Sequence, residues 1–220
     1  MRDKEQTAKT KKQIAQIAKN IKLLILDVDG VLTDGSIILD DNGNEIKSFH
    51  VRDGHGLKML QKAGIQIAII TGRHSKVVER RAHELGITEV YQRCHIKTVA
   101  YDDLLEKFGI EDKETAYVGD DIVDIPIFKR VGLSIAVADA VDEAKREALF
   151  VTNNRGGRGA VREVCELILK SNGKWEEFID EYNNTYFQQD NINPVLRNYY
   201  TAEPVSRHCH FPYSIAYGFP

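Results

Sequence analysis

The feature that most constrains the fold is a run of four large aliphatic residues, Leu23 to Leu26, which ends in two carboxylates at Asp27 and Asp29. A short apolar run bounded by polar residues is typical of a strand buried on both faces of a parallel sheet. Ligands of open α/β sheets bind in the crevice outside the carboxyl ends of the strands. The two acids are therefore predicted to lie at a binding site, beside a sharp turn that Gly30 allows.

Apolar and helical segments alternate along the chain that follows. Strands are predicted at 65–70, around Val90, and at 115–118, 133–138 and 150–151, and helices at 54–63, 75–85, 98–108, 122–130, 141–148 and 159–171. Strands that alternate with helices of this length form βαβ units with right-handed crossovers. The predicted fold is α/β, a three-layer, doubly wound parallel sheet.

A β-hairpin is predicted directly after the two acids. Segments 36–39 and 45–49 flank Asn42-Gly43, a dipeptide that is a strong hairpin signal. Because these segments follow the first strand so closely, we expect the hairpin to project over the site as a flap.

The chain divides into three parts by composition. Residues 1–19 are a polar arm and a short amphipathic helix, and residues 20–173 carry the alternating elements. Residues 174–220 hold a short helix to Tyr182, after which the sequence is rich in Asn, Tyr and Pro and has no apolar period. This last stretch is expected to be a poorly ordered extension.

Composition narrows the class of protein. Of 220 residues, 30 are Lys or Arg and 33 are Asp or Glu, the two signs are interleaved, and the net charge is -3, so a nucleic-acid partner is not expected. Three widely spaced cysteines form a poor disulfide framework. The chain shows no apolar segment of signal-peptide or membrane-spanning type, so we expect a cytoplasmic protein with no membrane partner.

The two acids on their own have two interpretations. Carboxylates this close repel one another unless a cation or a proton lies between them, and a divalent metal would resolve the conflict. The alternative is a pair of solvated acids in a strand-to-loop turn. Three later segments, in a fixed order, favour the metal: 69–73 with the sequence IITGR, Lys97, and 117–124 with the sequence YVGDDIVD.

With these motifs the chain resembles the haloacid dehalogenase superfamily of phosphatases, between about Asn20 and Gly173. Within that superfamily it is similar to the 3-deoxy-D-manno-octulosonate 8-phosphate (KDO 8-phosphate) phosphatase family. The closer similarity rests on three segments, 49–54 (FHVRDG), 117–124, and 156–164 (GGRGAVREV).

The resemblance implies phosphoryl transfer that depends on Mg²⁺. Asp27 would be the nucleophile that forms an aspartyl-phosphate, and Asp29 the general acid and then the general base. Asp27, the backbone carbonyl of Asp29, and Asp120 would bind the metal. Asp121 and Asp124 would orient water molecules on the metal.

Two further residues have a catalytic and an ordinary interpretation. The hydroxyl of Thr71 would hold a phosphoryl oxygen, or else Thr71 caps the helix that follows. The ammonium of Lys97 would neutralise charge on the transferring phosphoryl group, or else Lys97 is an ordinary surface lysine.

Substrate recognition is expected to need neighbouring subunits. Only about 40 residues separate Asp29 from Thr71, which leaves no room for an inserted cap domain, so the site would be open. The family's arrangement implies a homotetramer whose neighbours cover each site. The resemblance assigns the phosphorylated sugar acid to Asp29, His50, Val51, Arg52, Asp53, Gly54, Lys58, Arg73, Arg81 and Lys97.

One departure from the family and one open alternative bear on the details of recognition. Position 58 is Lys where the family has Arg. The loop 156–159 would either reach a neighbour's site or form a plain turn before a helix.

The sequence hypothesis is hydrolysis of KDO 8-phosphate to KDO and phosphate, a step toward lipopolysaccharide. One alternative is a phosphatase of a nine-carbon sugar acid, of the sialic-acid or KDN 9-phosphate type. Another is a non-catalytic oligomerisation module of a sugar-nucleotide pathway, which the intact set of acids, Thr71 and Lys97 disfavours. A phosphomutase is disfavoured because such an enzyme needs a cap to exclude water.

Overall fold

A computed structural model describes residues 10–188 of the chain. Its strands are β1 Leu23–Leu26, β2 Ile38–Leu39, β3 Glu45–Ile46, β4 Gln66–Ile70, β5 Glu89–Tyr91, β6 Thr115–Gly119, β7 Leu133–Ala136 and β8 Phe150–Val151. Its helices are α1 Lys11–Ala18, α2 Val51–Lys62, α3 Lys76–Leu85, α4 Lys97–Phe108, α5 Ile125–Phe128, α6 Asp142–Glu147, α7 Ala160–Ser171 and α8 Trp175–Gln188.

Six of the strands form one parallel sheet in the order β5-β4-β1-β6-β7-β8. After β1 the chain adds β4 and then β5 on one side of it. It then returns and adds β6, β7 and β8 in turn on the other side. The strand order therefore reverses beside β1, and that is where a doubly wound sheet opens its ligand crevice. The predicted α/β fold is confirmed.

The sheet is covered on both faces. Every residue of β1, β6 and β7 is buried. Helix α7 packs against α1 and α2, α3 packs against α2, and α5 packs against α4 and α6. Because burial removes apolar side chains from both faces of the central strands, the hydrophobic effect fixes the position of β1 and of the acids that follow it.

The predicted hairpin is present as β2 and β3, paired antiparallel. Its turn is closed by the Asp40 carboxylate, which accepts hydrogen bonds from the backbone N–H groups of Asn42 at 2.9 Å and Asn44 at 2.7 Å. One face of the hairpin is apolar and exposed: Ile38 is 45% exposed and Ile46 is 52% exposed.

Two of the predicted helices differ clearly from those observed. Helix α2 begins at Val51, three residues early, which makes His50 its N-cap residue. The segment predicted as one helix over 122–130 is a 3₁₀ turn at Ile122–Asp124 followed by the short α5. Pro126 near the start of α5 has no backbone N–H to continue a helical ladder from the preceding turn.

The C-terminal helix is longer than predicted, since α8 continues past Tyr182 to Gln188. The disorder expected beyond residue 188, like the N-terminal arm before residue 10, lies outside the described residues. The described chain divides into two compact units, of which one ends at Phe178 and the other begins at Ile179. The boundaries at 19 and 173 stay predictions. Within residues 10–188, no helix is both long and apolar enough to cross a membrane.

Candidate active site

Three carboxylates meet at the carboxyl edge of the central strands. Asp27 follows β1, Asp120 follows β6, and Asp124 ends the 3₁₀ turn beyond it. One oxygen from each lies within 4.8 Å of the other two. Asp27 is 6% exposed and Asp124 is fully buried. The fold thus brings Asp27 of the first motif next to Asp120 of the last motif, and Asp124 lies in the same cluster.

Lys97 faces this cluster from the first turn of α4. Its Nζ lies 2.7 Å from Asp27 Oδ2 and 2.7 Å from Asp124 Oδ1. The same ammonium donates to the Tyr117 hydroxyl at 3.2 Å. Lys97 is only 6% exposed, so the interpretation as an ordinary surface lysine is wrong.

Asp124 is held in place by four donors. Besides Lys97, the Tyr117 hydroxyl donates to its Oδ1 at 2.7 Å. The backbone N–H groups of Asp120 and Asp121 donate to its Oδ2 at 2.9 and 3.2 Å. A side chain at Gly119 would overlap the Asp124 carboxylate. Asp124 therefore fixes both the loop that carries Asp120 and the ammonium of Lys97.

The electrostatics of the cluster favour a cation. Burial raises the pKa of Asp27 to about 6, with the Asp124 charge adding to burial and Lys97 opposing it. Burial, together with the charges of Asp27 and Asp124, raises the pKa of Asp120 to about 8. One ammonium thus faces three buried or half-buried acids. Hard oxygen ligands with excess negative charge fit a hard divalent cation.

Asp29 points to a different set of partners. Its Oδ1 is ion-paired with Lys47 from the strand end of the hairpin, and its Oδ2 lies 3.9 Å from Arg73 Nη1. The Lys47 side chain is 1% exposed. Sequence reasoning missed Lys47. The available signal was its spacing of two residues from Glu45, which places both side chains on one face of a strand.

Thr71 lies at the carboxyl end of β4, beside the end of β1 that carries Asp27. It is buried and comes directly after β4, which pairs with β1 in parallel. Its backbone N–H donates to the Tyr91 carbonyl at 2.9 Å. The next helix, α3, takes Ser75 as its N-cap residue, so the interpretation of Thr71 as a helix cap is wrong.

The remaining predicted substrate residues fall into two groups. His50, Asp53, Gly54 and Arg81 line one narrow recess beside α2 and α3. Val51 and Arg52 are exposed on the first turn of α2, and Lys58 is half-buried further along that helix. All of these residues except Arg81, which lies on α3, belong to α2 or precede it directly, and the recess has a volume of about 10 Å³.

Asp53 forms the floor of that recess. It is 1% exposed, and its Oδ1 accepts a hydrogen bond from the Arg162 backbone N–H of α7 at 2.7 Å. Its Oδ2 lies 3.9 Å from His50 Nδ1, and both atoms are buried without a hydrogen-bond partner. Burial raises the pKa of Asp53. These orphan atoms suit a polar ligand group.

The glycine loop 156–159 before α7 packs against the turn at Gly30 and Val31, which follows Asp29 in the same chain. The Gly157 N–H donates to the Val31 carbonyl at 2.8 Å, and the Gly156 N–H donates to Asp139 Oδ1 at 2.9 Å. A Cβ at Gly156 would overlap the Gly30 carbonyl. The loop leads directly into α7 at Gly159, as the helix-start alternative predicted.

The acids cluster beside β1, where the strand order of the doubly wound sheet reverses, and this is the ligand site of an α/β enzyme. Residues 51–132 match the family model described as haloacid dehalogenase-like hydrolase. Because a 3-deoxy-D-manno-octulosonate 8-phosphate phosphatase matches most of the chain with 54% identity, the chain belongs, within that class, to the family of that phosphatase.

The family rests on close relatives. The KDO 8-phosphate phosphatase KdsC of Escherichia coli strain B / BL21-DE3 is 54% identical over 160 residues, which are 73% of this chain and 85% of that protein. The crystal structure of the Yersinia pestis phosphatase has 50% identity and a TM-score of 0.73, covering 74% of this chain and 88% of that one. The Moraxella catarrhalis phosphatase in complex with magnesium ion, phosphate ion and a KDO molecule has 45% identity and a TM-score of 0.76, covering 77% and 98%.

Proposed function

We propose that the chain is a Mg²⁺-dependent phosphatase that hydrolyses KDO 8-phosphate to KDO and phosphate. The observation that carries the proposal is the buried cluster of Asp27, Asp120 and Asp124 closed by the Lys97 ammonium. The Moraxella relative binds magnesium, phosphate and KDO. The placement of all four motif segments around one crevice agrees with that ligand set.

The residues divide the chemistry between them. Asp27 attacks phosphorus in line and forms an aspartyl-phosphate, which splits hydrolysis into two displacements. Asp29 gives a proton to the leaving oxygen as its bond to phosphorus breaks, and later takes a proton from the water that attacks the aspartyl-phosphate. The Lys97 ammonium and the Thr71 hydroxyl hold the phosphoryl oxygens.

Mg²⁺ would be held by Asp27, Asp120 and the backbone carbonyl of Asp29. When bound, it supplies positive charge to the transferring phosphoryl group. Asp124 holds the Asp120 loop and Lys97 in position. With Mg²⁺ bound, Asp121 and Asp124 would orient its water molecules. The raised pKa values of Asp27 and Asp120 support a site built to receive a cation.

The sugar acid is assigned to the recess and the hairpin side of the crevice. Arg73 and Arg81 offer guanidinium groups to its carboxylate, because the planar guanidinium binds carboxylates bidentately. His50, Asp53 and Gly54 are assigned to one hydroxyl at the mouth of the recess, whose volume of about 10 Å³ has no room for more, and Val51, Arg52 and Lys58 are assigned to its surroundings. The buried orphan atoms of His50 and Asp53 support this placement.

The working form is proposed to be a cytoplasmic homotetramer that acts in lipopolysaccharide synthesis, with residues 20–173 as its catalytic domain. Exposed apolar side chains on the hairpin support association. Ile38 and Ile46 lie opposite one another on one face, and Leu39, which is opposite Glu45 on the other face, is 60% exposed. Cys94 and Cys165, the cysteines within residues 10–188, are free thiols, which suits a reducing compartment.

A phosphate-release screen tests the proposed activity. We expect purified protein with Mg²⁺ to hydrolyse KDO 8-phosphate with a kcat/KM at least about 100-fold above that for glucose 6-phosphate, since buried polar groups reject ligands that cannot pair with them. EDTA should stop release, and added Mg²⁺ should restore it. Preference for a nine-carbon sugar-acid 9-phosphate would replace the substrate, and no release from any sugar phosphate would favour a binding module.

The stability of the metal-free protein should fall as pH rises. Asp120, with its pKa raised to about 8, retains in the folded state a proton that the unfolded chain has already lost, so the folded state binds more protons between about pH 4 and pH 8. Excess bound protons in the folded state mean that stability decreases with pH over that window. Thermal unfolding in EDTA between pH 5 and pH 9 measures the slope.

The Asp120→Asn variant is the matched control, because it removes the titrating group while it keeps the shape. Its melting temperature should depend less on pH than that of the wild type. Excess Mg²⁺ should stabilise the wild type more at pH 8 than at pH 6, since the metal binds the deprotonated acids. Equal slopes for the two proteins in EDTA would contradict the assignment.

A further inference from the structure

Lys47 is a buried lysine outside the four motifs. Its side chain is 1% exposed, and its ammonium contacts the Asp29 carboxylate and, at 3.3 Å, Glu45 Oε1. Lysine is almost never so buried unless it is paired, because removing the ammonium from water is costly. The ion pair with Asp29 therefore compensates the cost of burying the Lys47 ammonium of the hairpin.

The inner face of the hairpin strand is fastened to the rim of the crevice. Glu45 and Lys47 alternate with Ile46, so both charged side chains share a face while Ile46 is 52% exposed on the other. Glu45 Oε1 accepts from Arg73 Nη2 at 2.7 Å, and its Oε2 accepts from the Ser75 hydroxyl at 2.5 Å. Glu45 thus ties Lys47 to the segment that follows β4.

Lys47 and Arg73 face different oxygens of the Asp29 carboxylate. Lys47 contacts Oδ1, and Arg73 Nη1 lies 3.9 Å from Oδ2. The close ion pair with Lys47 restricts the rotation of the Asp29 carboxylate, and the more distant Arg73 charge adds a weaker restraint, whereas an unpaired carboxylate in a loop has several rotamers. Proton transfer requires the acid to lie within hydrogen-bond reach of the leaving oxygen, so the orientation of Asp29 controls that step.

We infer that Lys47 is a positioning residue for Asp29, and that the hairpin thereby takes part in proton transfer as well as covering the site. The inference rests on the proposed function, since it takes Asp29 as the general acid and base. Two other roles are possible outcomes of the test: a direct contact with the substrate, and a purely structural anchor for the hairpin.

Substrates with different leaving groups separate these roles. A sugar alkoxide needs a proton as it leaves, whereas p-nitrophenolate leaves without one. We expect Lys47→Met to lower kcat/KM by about 100-fold, the lower end of what general acid catalysis contributes, for the sugar phosphate that the wild type hydrolyses fastest. For p-nitrophenyl phosphate the same variant should lose less than about 5-fold. Lys47→Arg, which keeps the charge, should recover most of the loss.

Lys107→Met is the matched control. Lys107 lies in the last turn of α4, at the end opposite Lys97, and pairs with Glu89 at 2.8 Å. It should leave both substrates at wild-type rates. The double variant Asp29→Asn/Lys47→Met should be as active as Asp29→Asn alone, because a residue that acts through Asp29 adds nothing once that carboxylate is absent.

Three results would overturn the inference. Equal losses for both substrates would indicate a structural anchor. A raised KM with unchanged kcat would indicate a substrate contact. Additive losses in the double variant would show that Lys47 acts independently of Asp29. Failure of the proposed function is a separate result, namely that wild-type protein releases no phosphate from KDO 8-phosphate.

Discussion

Asp27→Asn should abolish turnover while the protein stays folded. The amide keeps the size of the carboxylate but cannot form the aspartyl-phosphate, and removing a catalytic nucleophile lowers kcat on the order of 10⁵-fold or more. Because burial and the Asp124 charge already raise the pKa of Asp27, a neutral group at this position relieves repulsion in the metal-free cluster. The melting temperature in EDTA should therefore equal or exceed that of the wild type.

Two measurements check this result. Phosphate release gives the rate, and intact mass spectrometry after rapid acid quench should detect one added phosphoryl group in the wild type and none in Asp27→Asn. Asp142→Asn, at a side chain that is 82% exposed on α6, is the matched control and should behave as the wild type. Residual turnover above about 1% of the wild-type rate would rule out Asp27 as the nucleophile.

Lys97→Met should have the second largest effect, on stability as well as on activity. Methionine matches the apolar stem but leaves the carboxylates of Asp27 and Asp124, each 2.7 Å from the ammonium, without their countercharge. Removing one partner of a buried ion pair costs about 3–5 kcal/mol. Loss of a charge aimed at the phosphoryl group should also lower kcat by about 10²–10³-fold.

Urea unfolding in EDTA measures the stability loss. It should be larger at pH 8 than at pH 5.5, because Asp27, with a pKa of about 6, can take up a proton at the lower pH and remove part of the uncompensated charge. Lys107→Met, at a pair whose lysine side chain is 53% exposed, should cost less than about 1 kcal/mol. An unchanged unfolding midpoint in Lys97→Met would mean that the buried ammonium is not needed to hold the acids together.

The sequence was sufficient for the parts of the fold that rest on local signals. Four aliphatic residues predict a two-sided buried strand, and Leu23–Leu26 is that strand. Asn42-Gly43 predicts the hairpin turn between β2 and β3, and the turn is there. The parallel sheet follows from the alternation of elements. Each of these features depends on residues that are neighbours in the chain.

The sequence was insufficient where a side chain finds distant partners. Lys97 has the pattern of a surface residue, and only its contacts with Asp27 after β1 and with Tyr117 of β6 show that it is buried. The role predicted for Asp124, orienting water on the metal, stays a prediction, but the sequence did not show that the turn before α5 brings its carboxylate within 4.8 Å of those of Asp27 and Asp120. Lys47 lies in a polar hairpin strand, where periodicity gives the face but not the acid that it meets.

The backbone contact between Gly156 and Gly30 has a consequence for engineering. Because the two main chains touch with no space for a Cβ, a library that varies position 156 in search of new substrates would yield mainly misfolded clones. The hairpin tip at Asp41–Asn44 is exposed and supplies none of the acids of the carboxylate cluster, so we expect diversity there to leave the nucleophile in place. Selection for altered sugar preference would thus do best at the flap, with the glycine loop kept constant.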